Sequence, residues 1–346
     1  MSKRLLWLVA ALVATLALVA AGCGGDDEES SGTTAATGGD TGGAAAEPIK
    51  VCLVTDIGGL NDRGFNSLAN EGLERAKSEL GVETRVLESK SDADYIPNLS
   101  ECAEQGSNLV VSVGFLMGEA TLKAAQEYPD VNFAIIDNAY EDTPTNLQGL
   151  LFKEQEAGYL VGYMAALASK TGTISSVGGQ EIPPVERFIA GYQAAAKAAK
   201  SGTKTLNGYS QDFVDQAKCK EVALDQIAKG ADVIFQVAGG CGLGALDAAK
   251  EKGLWGIGVD ADQSFLGDHI LTSAQKKVDV AVFDTIKKAS EEGFEGGGVT
   301  SYGLAEDGVG LGKISPKFTD QAIIDKVDEQ KQKIIDGEVE IPETVS

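Results

Sequence analysis

The chain has 346 residues, of which 52 are acidic and 29 basic, and its formal net charge at pH 7 is −23. This length allows two domains, each with a sizeable hydrophobic core. The acidity argues against binding to nucleic acid, because such binding needs basic patches that release counterions from phosphates. The charge by itself predicts a well solvated surface and no particular partner.

The first residues have the pattern of an export signal. Two basic residues near the start precede the apolar run 5–19, which is shorter than the ~20 residues that a membrane span needs. The sequence AAGC at 20–23 resembles a bacterial lipobox, in which the signal peptide is cleaved before a cysteine that carries lipid. We therefore expect residues 1–22 to be a lipoprotein signal peptide and Cys23 to be the lipid attachment site.

Residues 23–47 are rich in Gly, Ser, Thr, Ala and acidic side chains and contain almost no apolar bulk. Such a segment cannot bury enough surface to offset its chain entropy, so we expect a disordered tether. A lipid, a tether and a globular part together predict an exported protein held on the extracytoplasmic face of the cell membrane.

From residue 48 onward, predicted strands and helices alternate, which is typical of a parallel α/β sheet. The first half is predicted to contain strand 49–54, helix 65–80, strand 84–89, helix 96–105, strand 109–114, helix 119–128, strand 133–137 and strand 147–152. The second half is predicted to contain helix 155–169, strand 172–179, helix 185–200, strand 205–210, helix 216–229, strand 232–240, a helix that ends at 247–252, strand 254–260, helix 276–292, a strand pair within 302–315 and helix 320–336.

The two halves repeat the same order of elements, which indicates an internal duplication of architecture. We predict two α/β lobes with a cleft between them and hinge crossings near Phe152, Ser273 and Tyr302, as suits a hinged binding protein. The predicted boundaries give an N-terminal lobe of residues 48–152 plus 274–302 and a C-terminal lobe of residues 153–273 plus 303–346.

Polar and aromatic side chains follow several predicted strands, at the sheet edge where open α/β sheets bind ligands. Asp56 follows the first strand, Phe65 and Asn66 begin the next helix, and Asp137 and Asp260 end two later strands. Carboxylate and amide groups exchange hydrogen bonds with a ligand, and a phenyl ring offers it a flat apolar face. The pattern predicts a small-molecule site.

The sequence contains one weak cofactor pattern and no enzyme constellation. The loop GCGLGA begins at Gly240 and fits the loose dinucleotide fingerprint, with Asp260 twenty residues beyond. Its backbone N–H groups can equally meet a ligand, so we predict contacts from Gly240 and Gly242 and expect no cofactor. His269 is the only histidine and no CxxC pair is present, which argues against a catalytic triad and a zinc site. The number of acidic residues leaves one enzyme class open, the glycosidases, which use a pair of carboxyl groups.

Four cysteines follow the one at the lipobox: Cys52, Cys102, Cys219 and Cys241. An even number in an oxidising compartment favours two disulfides. We favour the pairs Cys52–Cys102 and Cys219–Cys241, each of which would join a strand or its end loop to a nearby helix. Four buried free thiols are the alternative.

Eight ordered motifs between residue 49 and the C-terminus resemble the basic membrane protein family of ABC-transporter substrate-binding lipoproteins, which includes the purine nucleoside receptor of spirochaetes. The motifs are LVTDIGGLNDRGFN, VSVGF, FAIID, FKEQEAGYLVGYMAA, GGQEIPPVERFIAGYQAAAK, GADVIFQVAGGCGLGALDAAK, IGVDADQ and TSAQKKVD. The resemblance implies an α/β periplasmic-binding-protein type I fold, with two Rossmann-like lobes joined by a three-crossing hinge.

The resemblance also implies that a purine nucleoside binds between the lobes. Asp56 and Asp137 would lie near the base, with Phe65 on one face of its ring system and Phe213 on the other. Two stacked aromatic rings would contribute about 1–3 kcal/mol each.

For the ribose, the resemblance implies that Asp260 accepts hydrogen bonds from the hydroxyls and that Lys276 donates to them. Gly240 or Gly242 would contribute backbone groups, and Cys241 stands where a hydroxyl residue is common in the family. A carboxylate that accepts both hydroxyls would discriminate strongly against ligands that lack them.

The function that we predict is that of a monomeric, lipid-anchored receptor of an ABC importer, which performs no chemistry and delivers its ligand to a membrane permease. Three alternatives stay open: a receptor for another small polar ligand such as a sugar, a signalling lipoprotein that senses its ligand, and a secreted Rossmann-type enzyme. Turnover and a bound cofactor would distinguish the enzyme.

Overall fold

Two six-stranded sheets organise the part of the chain that the computed structural model describes, residues 47–345. These residues belong to one compact unit. The predicted signal peptide, Cys23 and nearly all of the predicted tether lie outside the described residues. Within residues 47–345, no helix combines the length and the apolar character that a membrane crossing requires.

The elements alternate along the chain as the hydrophobic pattern predicts. The first half contains β1 (Lys50–Thr55), α1 (Phe65–Leu80), β2 (Glu83–Glu88), α2 (Tyr95–Glu104), β3 (Leu109–Val113), α3 (Gly118–Glu127), β4 (Asn132–Ile136) and β5 (Leu147–Phe152). The second half contains α4 (Glu154–Ala168), β6 (Thr173–Gly178), α5 (Pro183–Ala199), β7 (Lys204–Tyr209), α6 (Gln216–Ala228), β8 (Val233–Val237), α7 (Gly242–Glu251), β9 (Trp255–Asp260), β10 (Ile270–Lys276), α8 (Val278–Glu291), β11 (Gly298–Tyr302), β12 (Val309–Leu311) and α9 (Gln321–Ile335).

Each sheet forms the centre of one lobe. The N-terminal sheet has the order β11-β5-β4-β3-β1-β2, and all of its strand pairs are parallel. The C-terminal sheet has the order β12-β10-β9-β8-β6-β7, with one antiparallel pair between β10 and β12. In both sheets the strand order reverses beside the first strand, which opens a crevice at the carboxyl ends of the strands.

Burial on both faces explains the composition of the central strands. Strands β3 (LVVSV) and β8 (VIFQV) are buried at every position, as parallel strands covered by helices on both sides must be. Helices α4 and α5 pack closely because a Cβ at Gly158 or Gly162 would collide with the backbone of α5. The C-terminal lobe therefore has a tight helical layer against its sheet.

The chain crosses between the lobes three times, after Phe152, after Lys276 and after Tyr302. The second crossing follows Lys276 and not Ser273, because residues up to Lys276 extend strand β10. The sequence analysis missed this strand and began the next helix too early. The residue boundaries of the lobes stay a prediction.

The predicted strand pair within 302–315 is wrong. Strand β11 pairs with β5 in the N-terminal sheet, whereas β12 pairs with β10 in the C-terminal sheet. The glycine-rich stretch between them therefore crosses from one lobe to the other and does not form a hairpin.

Two disulfides join elements within the lobes. Cys52 of β1 is bonded to Cys102 of α2, with their Cα atoms 5.8 Å apart. Cys219 of α6 is bonded to Cys241, which immediately precedes α7, with their Cα atoms 5.6 Å apart. These are the two pairs that we favoured from the sequence over four free thiols.

Candidate functional site

A cavity lies between the lobes, at the carboxyl ends of strands from both sheets. It contains about 610 Å³ of space that protein atoms do not fill, part of it open to solvent. Seven of the nine predicted contact residues line it: Asp56, Phe65, Asn66, Asp137, Phe213, Asp260 and Lys276.

The structure does not bring the other two predicted contacts, Gly240 and Gly242, to the cavity wall; Gly239 lines it instead. A Cβ at Gly242 would collide with the side chain of Gln236, so this glycine allows close packing inside the C-terminal lobe. The glycine-rich loop therefore reaches the cavity one residue before Gly240, where the dinucleotide fingerprint begins.

Asp56 is held by the loop that follows β1. Its Oδ1 accepts hydrogen bonds from the Gly58 amide at 2.9 Å and from Asn66 Nδ2 at 2.8 Å. Its Oδ2 lies at Gly114, another residue of the cavity wall, and accepts no hydrogen bond from residues 47–345. One oxygen therefore fixes the carboxylate and the other is available to a ligand.

Asp62 caps the first turn of α1, which begins beside the cavity. Its carboxylate accepts hydrogen bonds from the backbone amides of Gly64, Asn66 and Ser67 at 3.0, 2.6 and 3.1 Å. This satisfies free amides of the first helical turn, as a capping residue does. The cap orients Phe65 and Asn66, and Asp62 itself also lines the cavity.

Two aromatic rings approach the cavity from opposite lobes. Phe65 begins α1 in the N-terminal lobe, and Phe213 lies in the loop that precedes α6 in the C-terminal lobe. The ring of Phe213 lies so close to Gly179 that a Cβ there would collide with it. Its carbonyl accepts a hydrogen bond from the Cys241 amide at 2.9 Å. Both rings are partly buried, and each leaves part of its surface in the cavity.

Asp137 and Asp260 have unusual backbone conformations. Their φ angles are +71° and +61°, in the left-handed region that side-chain-bearing residues rarely adopt. Such residues cost about 1–3 kcal/mol each and concentrate at functional sites. Because both carboxylates follow or end strands at the cavity, the strain lies where we predicted ligand contacts.

The cavity stabilises the neutral form of its carboxyl groups. Asp56, Asp137 and Asp260 are 8%, 5% and 8% exposed. Burial raises the pKa of Asp56 to about 6 and that of Asp260 to about 7. Burial also raises the pKa of Asp137 to about 6, although Lys276 opposes this shift. A ligand that donates hydrogen bonds would oppose this effect of burial, because such bonds stabilise the ionised form of a carboxyl group.

Lys276 is the cation of the cavity wall, and it is 1% exposed. Its Nζ lies 2.5 and 2.7 Å from the two carboxylate oxygens of Asp137 and 2.8 Å from Oε1 of Glu154. Burial opposes the charged ammonium, but the charges of Asp137, Glu154 and Asp260 outweigh it and raise the pKa of Lys276. Nζ also lies 5.0 Å from the ring centroid of Phe65.

The sequence analysis assigned no role to several residues that form the site. Glu154 belongs to the quoted motif FKEQEAGY, and the apolar wall formed by Pro184, Val185 and Phe188 belongs to GGQEIPPVERF. The motifs contained the signal, but nothing in them distinguished a wall residue from a core residue. Within residues 47–345, no group of histidine, cysteine or acidic side chains has the arrangement of a metal site.

The fold and the cleft define a class, the solute-binding proteins of ABC transporters. The structure is similar to that of an ABC transporter solute-binding protein from Aeropyrum pernix K1, with a TM-score of 0.77 and 31% identity. That match covers 86% of this chain and 94% of the other. Proteins of this class bind small-molecule ligands and interact with a permease.

A family model described as ABC transporter substrate-binding protein PnrA-like matches residues 49–345, and the chain belongs to this family. The ABC transporter nucleoside-binding protein BmpA of Lactococcus lactis is 36% identical over 85% of this chain and 89% of its own length. Basic membrane protein A of Borreliella burgdorferi is 36% identical over 85% and 87%. The family consists of extracytoplasmic substrate-binding proteins, which are not enzymes.

Proposed function

We propose that this chain is a lipid-anchored, monomeric receptor that binds a purine nucleoside in the interlobe cleft and delivers it to an ABC permease. The observation that carries the proposal is the content of one cavity, where Phe65 and Phe213 approach from opposite lobes beside the buried carboxylates of Asp56, Asp137 and Asp260. A flat base and a polyhydroxylated sugar are the two parts of a nucleoside, and each matches one of these features.

The base would lie between Phe65 and Phe213, with its polar edge toward Asp56 and Asp137. Stacking of a base on an aromatic side chain contributes about 1–3 kcal/mol. Because the rings belong to different lobes, a base between them would also join the lobes. The free Oδ2 of Asp56 suits an N–H donor on the edge of a purine.

The ribose would lie against Asp260, whose carboxylate accepts no hydrogen bond from residues 47–345. Two vicinal hydroxyls would supply the missing donors in charge-assisted hydrogen bonds. A contribution from Lys276 would require an exchange of partners, because Asp137 and Glu154 occupy its ammonium group. We therefore assign the main ribose contact to Asp260 and a secondary one to Lys276.

Support for the ligand class comes also from the nucleoside-binding relative in Lactococcus lactis. The anchor is supported by the lipobox-like sequence that ends at Cys23 and by the polar segment after it. A two-lobe protein with its ligand enclosed within one chain needs no second copy to complete the site, which favours a monomer.

Differential scanning calorimetry with adenosine, guanosine, inosine, free bases, ribose and other sugars tests the proposal. A ligand that binds only the folded state stabilises it by RT ln(1 + [L]/Kd), so a micromolar ligand at millimolar concentration adds about 4 kcal/mol. We expect a rise in melting temperature with at least one nucleoside and none with ribose. A rise with sugars alone would contradict the nucleoside assignment and favour the sugar receptor.

A further inference from the structure

Glu154 contacts the cation of the cleft without lining the cavity. It is the first residue of α4, and its side chain is fully buried. Its Oε1 accepts a hydrogen bond from Lys276 Nζ at 2.8 Å, and its Oε2 accepts one from Arg187 Nε at 2.6 Å. Each carboxylate oxygen thus has a cationic partner, which fixes the orientation of the group.

The two carboxylates around Lys276 belong to different lobes. Lys276 ends β10 of the C-terminal sheet, and Glu154 and Arg187 lie on α4 and α5, which pack against each other in the same lobe. Asp137 follows β4 of the N-terminal sheet. When the lobes move apart, Lys276 therefore keeps Glu154 as a partner and loses Asp137.

A buried ammonium without a counter-ion is strongly unfavourable. Glu154 removes that penalty whether or not the N-terminal lobe is near, and Arg187 balances the charge of Glu154. The four residues Asp137, Glu154, Arg187 and Lys276, which we call the cleft ion network, contain two positive and two negative charges. Asp56 and Asp260 form no salt bridge within residues 47–345, although the charge of Lys276 opposes the effect of burial on the pKa of Asp260.

We propose that Glu154 is a positioning residue for ligand binding: clamped by Arg187, it holds the Lys276 ammonium at the cleft wall so that lobe closure completes the bond to Asp137. Glu154 acts through Lys276 and makes no contact with the ligand. The inference rests on the proposed function only for the use of nucleosides as probes.

Isothermal titration calorimetry of the full chain with adenosine, guanosine and inosine compares wild type with Glu154→Gln. We expect at least tenfold weaker binding for the variant, because the amide does not hold the ammonium as the carboxylate does. Unchanged affinity would overturn the proposal. If Glu154→Gln does not fold, Arg187→Gln replaces it, since this variant keeps the carboxylate and removes its clamp; we expect a smaller loss, and no loss would overturn the proposal.

Asp232→Asn is the matched control. Asp232 is also a buried carboxylate of the C-terminal lobe, where it accepts hydrogen bonds from Ser169 Oγ and from the amides of Lys170 and Thr171. It precedes β8 and therefore lies at the opposite end of the sheet from the cleft. We expect a lower melting temperature for Asp232→Asn and an unchanged affinity. An equal loss of affinity in both variants would overturn the positioning role and indicate a general effect on stability.

A double-mutant cycle separates positioning from packing. If Glu154 acts through Lys276, then Glu154→Gln should change the affinity less than about twofold in a Lys276→Met background. The same loss in both backgrounds would show that Glu154 acts independently of Lys276, and the proposal would be wrong.

A ligand-free readout distinguishes failure of this inference from failure of the proposed function. NMR titration of labelled lysine in the unliganded protein reports the pKa of Lys276, which we expect to fall in Glu154→Gln and to stay at its wild-type value in Asp232→Asn. An unchanged pKa in Glu154→Gln would overturn the inference. If wild type binds none of the three nucleosides, the proposed function fails, and this titration still decides the role of Glu154.

Discussion

The chemistry of the cleft depends on the buried carboxyl groups of Asp56, Asp137 and Asp260 and on the ammonium of Lys276, whereas the carboxylate of Asp62 caps α1. Asp137 and Lys276 form an ion pair, whereas Asp56 and Asp260 form no salt bridge within residues 47–345, although the charge of Lys276 opposes the effect of burial on the pKa of Asp260. Burial raises the pKa of Asp56 and that of Asp260 to values near neutrality.

The affinity for a nucleoside should fall as the pH is lowered below about 7. The raised pKa of Asp260 means that its protonated form is populated below pH 7 in the free protein. Ribose hydroxyls donate to the ionised carboxylate, so protonation removes the acceptor and weakens binding. Below pH 6, where Asp56 also becomes protonated, the loss approaches at least about tenfold per pH unit. Titration calorimetry between pH 5 and 8.5 measures it, and a flat profile would contradict the assignment.

Asp260→Asn should lose discrimination between a nucleoside and its 2′,3′-dideoxy counterpart. The wild-type protein should bind the nucleoside more tightly than the dideoxy ligand. The dideoxy ligand would leave the Asp260 carboxylate without a hydrogen-bond donor. We expect the ratio of the two dissociation constants to approach one in the variant, measured by calorimetric titration. A ratio equal to that of wild type would place the ribose elsewhere. The same variant should also reduce the pH dependence.

At the scale of elements, a disulfide links α6, which follows the loop that contains Phe213, to the end of the loop that contains Gly239. Phe213 lies shortly before α6, which contains Cys219, and Gly239 lies shortly before Cys241. The Cys241 amide also donates to the Phe213 carbonyl. The cross-link and this hydrogen bond together hold the segment around Phe213 close to the loop that contains Gly239.

Removing this disulfide should weaken both folding and binding. A disulfide typically contributes about 2–4 kcal/mol to stability, so Cys219→Ala/Cys241→Ala should melt at a lower temperature. Its nucleoside affinity should also fall, because Phe213 loses a fixed support. The matched control is Cys52→Ala/Cys102→Ala, for which we expect a similar loss of stability and a much smaller loss of affinity. Equal affinity losses in the two variants would contradict the local role.

Periodicity predicted the alternation of elements, and the failures have physical causes. Strand β10 (ILTSAQK) is buried but contains Thr272 and Ser273, whose hydroxyl groups form hydrogen bonds with Gly312 and Gln263. A buried strand with such polar side chains does not resemble an apolar run. Strands β11 and β12 pair with strands that lie far away in the sequence. Tertiary packing determines this pairing, so local sequence patterns do not predict it.

The sequence predicted the site residues that follow or end strands. It did not predict the contacts that depend on long-range packing. Asp56, Asp137 and Asp260 follow or end strands, so the topology brings them together. The contacts of Glu154 with Arg187 and Lys276 join residues far apart in the chain, and only the packed lobe creates them. The positive φ angles of two carboxylates have no signal in the sequence either.

Residues 47–345 form a pair of similar lobes with a cavity whose walls come from both. In the receptor hypothesis, ligand contacts to the two lobes would offset the loss of freedom on closure and would couple binding to closure. Phe65 belongs to one lobe and Phe213 to the other, and a base between them would couple both lobes to one ligand. The aromatic pair is therefore the part of the cleft on which the receptor hypothesis depends most.

The most direct test is titration calorimetry of wild type and of Phe65→Ala/Phe213→Ala with adenosine, guanosine and inosine. We predict that wild type binds at least one of them with one site per chain. The double variant should bind it at least about 30-fold more weakly, since two stacking contacts contribute at least about 2 kcal/mol. Wild type that binds none of the three, or a double variant with wild-type affinity, would contradict a nucleoside site between the two rings.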